Sequence, residues 1–169
     1  MRNKPVFFVV FVMFAIFVNV LAPVTVCATT LIGADLGELT HAAIAVVRGR
    51  VAAVQGRWTD DRSAIETIVT LDVDEYWKGD LGPTVQFRVA GGLLGRFRSV
   101  VVGAPRFAVD DRVVVFLGTK GPMIPFVVGF SQGVYRIAGD SVVRGEPGRA
   151  PLSLGEFQAR VRTLAGSAK

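Results

Sequence analysis

Apolar and polar side chains alternate strictly through Val69-Thr70-Leu71-Asp72-Val73-Asp74, the period of a strand with one face in a core and the other in water. The alternation predicts a long strand from Ala64 to Trp77. Upstream, Ala45, Val47, Gly49, Val51 and Ala53 share one face of a second strand, with Arg48 and Arg50 on the other. A glycine inside that strand, Gly49, predicts a bulge or a bend. A shorter strand from Thr84 to Val89 sends Val85, Phe87 and Val89 inward. Gly91 to Gly95 then reads as a loop, and Phe97 to Val102 as a return strand. The continuous apolar run from Arg112 to Leu117 predicts a central strand buried on both faces. Phe126 to Val128, Val134 to Ile137 and Asp140 to Val143 are further strand pieces.

Helical spacing occurs only near the two ends of this series. Asp35 to Ala42 predicts one or two turns, with His41 at the helix end packing on the sheet. Ser153 to Leu164 predicts an amphipathic helix: Leu154, Phe157, Val161 and Leu164 form its apolar stripe, and Ser153 with Glu156 matches a capping box. Thr59 to Arg62, Lys78 to Pro83 and Ala104-Pro105 are turn signals. The chain therefore reads as mainly β, a small closed or partly closed β-barrel of about six strands. A short N-terminal helix and a C-terminal helix over 153–165 complete it.

The first residues follow a different rule. Arg2 and Lys4 precede an apolar run from Val6 to Val18, then Asn19, Pro23 and Val26-Cys27-Ala28. This is the order of a secretory signal peptide, and it predicts cleavage after Ala28. Residues 1–28 are then the signal and residues 29–169 a single β-barrel domain, extracytoplasmic in location, either periplasmic or secreted. The alternative is an uncleaved transmembrane anchor, although residues 6–22 fall short of the about 20 apolar residues a spanning helix needs. Only that uncleaved segment would bring the protein to a membrane. Cleavage lowers the net charge from +5 to +3, as 17 basic residues then face 14 acidic ones. It also removes Cys27, the single cysteine, so the exported chain has no disulfide and relies on its core.

The candidate chemistry is sparse. Gly129-Phe130-Ser131-Gln132-Gly133 fits G-x-S-x-G, the setting of many hydrolase nucleophiles. That motif needs a helix after the turn and a histidine later in the chain. Here Val134-Tyr135-Arg136-Ile137 continues as a strand, and the one histidine, His41, comes earlier. Turn chemistry explains the glycines better. Gly91-Gly92-Leu93-Leu94-Gly95 lacks the spacing of a nucleotide-binding loop. Asp72 and Asp74 share a strand face, but without a calcium loop around them they read as a solvated face. No metal and no cofactor are expected.

Arg88, Arg96, Arg98 and Arg106 gather in one stretch, with Phe97 and Phe107 among them. Basic residues interleaved with an aromatic mark a candidate binding surface, assigned to Arg88, Arg96, Phe97, Arg98 and Arg106. Ordinary surface arginine is the competing reading. An exported protein of modest charge rarely meets single-stranded nucleic acid, so nucleic acid is not the expected ligand. A protein or a cell-envelope component is.

The succession "VVRGRV", "VTLDVDEYWKG", "VGAPRF", "DDRVVVFL", "VGFSQGVYRI" resembles a group of uncharacterised exported bacterial proteins over about residues 40–137. The two-strand opening that ends in Lys-Gly is also similar to netrin-like modules, among them the N-terminal domain of tissue inhibitors of metalloproteinases. That likeness implies an oligonucleotide/oligosaccharide-binding (OB-like) barrel. Those inhibitors begin at a zinc-chelating cysteine and are cross-linked by disulfides, whereas this chain is predicted to begin at Thr29 with none. Three functional expectations follow, in order: a non-enzymatic exported binding module of unknown ligand, a netrin-like protease inhibitor, and a serine hydrolase using Ser131.

Overall fold

The computed structural model describes residues 34–121, 123–144 and 152–167. The segment read as a signal peptide, 1–28, lies outside the described residues. Helix α1 spans Leu36–Ala42, followed by strands β1 (Ala45–Trp58), β2 (Ile65–Lys78), β3 (Thr84–Ala90), β4 (Gly92–Leu94), β5 (Phe97–Ser99), β6 (Arg112–Gly118) and β7 (Phe126–Val127). A 3-10 turn (Phe130–Gly133) leads to β8 (Val134–Ala138), β9 (Ser141–Arg144), β10 (Leu152–Ser153) and helix α2 (Leu154–Gly166). Among the described residues no helix is long and apolar enough to cross a membrane.

Among the described residues there are ten strands rather than about six, and eight of them form one ring-like sheet. β1 pairs along one edge with β2 and, through Ala45 to Arg50, along the other edge with β6. β2 continues to β3, and β6 to β7. One parallel pair, Arg88 with Phe126, joins β3 to β7 and closes the ring, helped by the Arg88 N–H donating to the Pro125 carbonyl at 2.8 Å. β8, β9 and β10 extend the sheet outward from β6.

Such curling needs breaks in register, and β1 supplies them. Its pairing with β2 shifts between Val46 and Val47, between Arg48 and Gly49, and between Val51 and Ala53. Each shift adds local twist, which lets two 14-residue strands wrap rather than lie flat. Gly49 is the expected bend: a Cβ there would sit 2.2 Å from the Asp72 carbonyl oxygen, so only glycine admits the approach.

Two cores result. Val47, Val69, Leu71, Phe87, Val113 and Val115 fill the inside of the ring. Leu39, Trp77, Val114, Phe116, Phe157 and Val161 fill the space between its outer face and the helices. β6 contributes alternate residues to both, which accounts for its uninterrupted apolar run. The helix stripe behaves as expected, with Phe157 stacked edge-on to Trp77 at 5.7 Å and against Tyr135 at 4.4 Å.

Smaller departures have local causes. Gly91 to Gly95 is not only a loop, because Gly92–Leu94 pairs with Phe97–Ser99 as a hairpin of its own. The return strand stops at Ser99, since Val100 to Val102 find no partner strand among the described residues. Ser153 does cap α2, accepting from the Glu156 N–H at 3.2 Å, but the Glu156 carboxylate accepts from the Ser153 hydroxyl at 2.9 Å. The reciprocal arm of a capping box appears at α1 instead, where the Asp35 N–H donates to Glu38 Oε2 at 3.3 Å. His41 ends α1 exposed, not packed on the sheet. Asp72 and Asp74 meet Arg50 and Arg48 across the strand at 3.8 and 3.9 Å.

Candidate binding surface

After β3 the chain leaves the ring, makes the β4–β5 hairpin and returns to β6 through residues 100–111. The return is anchored from within. Phe107 packs edge-on against Phe87 with ring centroids 5.3 Å apart, and with Ala104 it covers the inner core. From outside, Arg136 donates to the Arg106 carbonyl at 2.6 Å and to Asp111 Oδ2 at 2.6 Å. The Ala108 N–H donates to the same carboxylate at 2.8 Å. The Ser131 N–H donates to the Gly103 carbonyl at 2.9 Å, tying the loop to the 3-10 turn. This segment is therefore tied to the ring at several points without being a strand.

Its outer side is open and apolar. Leu93, Val100 and Val102 are 64%, 66% and 92% exposed. Two grooves flank the segment and share Ala90, Ser99, Val101 and Pro105 as a common wall. The first encloses about 500 Å³ and is lined by Ile65, Arg88, Lys120, Phe126 and Phe130 among others. The second encloses about 590 Å³ and is lined by Val54, Leu93, Arg98, Val102, Arg106 and Phe107.

The five residues assigned from sequence divide among three places. Arg88 lines the first groove, while Arg98 and Arg106 line the second. Arg96 and Phe97 lie at the hairpin end, with the guanidinium 5.2 Å from the ring centroid and the ring 5.8 Å from Trp58. They line two grooves with a common wall and the hairpin end beside them, and do not form one cluster. Sequence reasoning missed Lys120, Phe126 and Phe130, which reach the first groove only because β7 closes on β3. The signal for Phe130 lay in the G-F-S-Q-G string, where attention falls on the serine.

That string has a geometric origin. Gly129 is left-handed (φ 67°), and a Cβ on Gly133 would sit 2.0 Å from the Val128 carbonyl oxygen. Both glycines are required to turn β7 into β8, and the turn opens onto a strand, not a helix.

The electrostatics are one-sided. Between Leu81 and Val109 the chain has four arginines and no carboxylate. Among the described residues none of Arg88, Arg96, Arg98 and Arg106 makes an ion pair. Glu66, the one carboxylate among the described residues lining the first groove, accepts from Arg57 Nε at 2.8 Å and is neutralised by it. Below that groove, in the β1–β2 turn, hydrogen bonds from Thr59 and then Ser63 lower the Asp61 pKa from its ordinary 3.8 to about 2. Burial raises that of Tyr76, whose hydroxyl donates to the Gly82 carbonyl at 2.8 Å.

Compared with protein-family models and with curated proteins, the chain matches none.

Proposed function

We propose that the protein is a non-enzymatic, exported binding module that holds an anionic protein or cell-envelope component on its 88–107 face. The observation that carries this reading is the union of four arginines that make no ion pair among the described residues with exposed Leu93, Phe97, Val100 and Val102 on a segment without a carboxylate. Apolar side chains left in water beside uncompensated charge mark interaction sites. The anchoring of the return loop by Phe107 and Arg136 supports it further, because a preorganised surface loses less entropy on binding.

The ring of β1, β2, β3, β7 and β6 is read here as an OB-type barrel, five strands closed by one short parallel contact. The same ring favours, as the second reading, a netrin-like protease inhibitor. Sequencing the mature N-terminus separates the two: Thr29 at position one removes the inhibitor, and Cys27 there supports it. Ser131 serves the turn and not catalysis.

The direct test is charge reversal. In capture from native envelope extract, Arg96→Glu/Arg98→Glu is expected to lose the partners the wild type retains, with a melting temperature nearly unchanged. Exposed substitutions of this kind alter stability by less than ~0.5 kcal/mol. Retention equal to wild type would make these arginines ordinary surface and end the proposal.

A further inference from the structure

The first groove contains a backbone conformation that the turn alone does not require of an aromatic residue. Phe130 has a φ of 55°, in the left-handed region that bulky side chains seldom occupy. Its ring is 48% exposed at the groove mouth. Strained backbone combined with an apolar ring held in water is characteristic of ligand clamps. The walls beside it are hydrocarbon: Ile65, Val89, Val101, Pro105 and Phe126. Two cations, Arg88 and Lys120, line the same groove and make no ion pair with a described residue. Arg88 is also firmly based, since its backbone forms the one β3–β7 pairing.

The groove volume of about 500 Å³ lies within the range of small-molecule sites. Its chemistry describes the occupant: one negative head and an apolar body. A peptide fits poorly, because every residue brings an amide that needs a partner, and these walls offer few. A free carboxylate is matched by the forked guanidinium of Arg88, and an alkyl chain needs only the apolar walls. Glu66 does not oppose it, being already held by Arg57.

We propose that the groove between β3, the 100–105 loop and the 119–130 segment binds a single-chain anionic amphiphile of the medium-chain fatty-acid type. Its carboxylate sits on Arg88 with Lys120 nearby, and its chain lies along Val101, Pro105, Phe126 and Phe130. This site shares Arg88 and the 100–105 loop with the face of the proposed function, but its occupant and its test are separate: loss of partner capture in Arg96→Glu/Arg98→Glu leaves the groove residues unchanged.

The test is calorimetric titration of the purified protein with monomeric dodecanoate, with dodecyltrimethylammonium as the oppositely charged control. Saturable one-to-one binding of dodecanoate is expected, with the cation at least about tenfold weaker and Arg88→Gln losing about tenfold for dodecanoate only. Val101→Trp, at a position 38% exposed, is expected to fill the groove and abolish binding. Equal binding of the two head groups would overturn the proposal. So would wild-type affinity in both variants, or binding to phosphatidylglycerol vesicles without binding to the monomer.

Discussion

Replacing Phe107 by alanine isolates the anchor on which the binding face depends. A fully buried phenylalanine loses about 3–5 kcal/mol on truncation to alanine. Phe107 is half-buried, covering the inner core beside Phe87 instead of lying within it. Scaling for that exposure leaves about 2–3 kcal/mol, of which the edge-on pair at 5.3 Å supplies about 0.5–1 kcal/mol. The expected loss is therefore about 2–3 kcal/mol. With a urea slope of about 2 kcal/mol per molar, the unfolding midpoint should fall by about 1–1.5 M. Phe97→Ala is the matched control: its ring is 48% exposed beside Trp58 and Arg96, so its loss should stay below about 1 kcal/mol. Equilibrium unfolding of both variants with an unchanged slope gives the comparison. Equal midpoints for Phe107→Ala and Phe97→Ala would refute the idea that the return loop is pinned through the core.

Two further predictions concern turns. The Asp61 carboxyl should titrate near pH 2, and Thr59→Ala should move it back toward 3.8, read from its side-chain carbon shift by NMR. Because the folded value is the lower one, the stabilisation of the β1–β2 turn is present above pH 3.8 and disappears as pH falls through about 2. In the G-F-S-Q-G turn, Gly133→Ala should destabilise by more than about 2 kcal/mol, since its Cβ has no room beside the Val128 carbonyl. Ser131→Ala should change stability by less than ~0.5 kcal/mol and leave labelling by a serine-reactive probe as in the wild type, whereas loss of labelling would reinstate a nucleophile.

Local periodicity was enough to read β2, the double burial of β6 and the stripe of α2, because each is a property of consecutive side chains. Gly49 announced its bulge for the same reason. What local pattern could not reveal was contact between distant segments. Phe126–Val127 is too short to read as a strand that closes a ring, and its parallel pair with Arg88 bridges nearly forty residues. Val100 to Val102 read as strand by composition, but they lack a partner strand and stay irregular and exposed. The candidate surface divides along the same line. Its arginines are adjacent in sequence and were visible there. Lys120, Phe126 and Phe130 join Arg88 only through the closure of β7 on β3.

The central claim is that the partner sits on the 88–107 face, and hydrogen–deuterium exchange of the captured complex against the unbound protein measures that directly. Protection should concentrate in residues 88–107, with the outer face of α1 and α2 exchanging as in the unbound protein. Protection centred on the helices, with 88–107 unchanged, would contradict it.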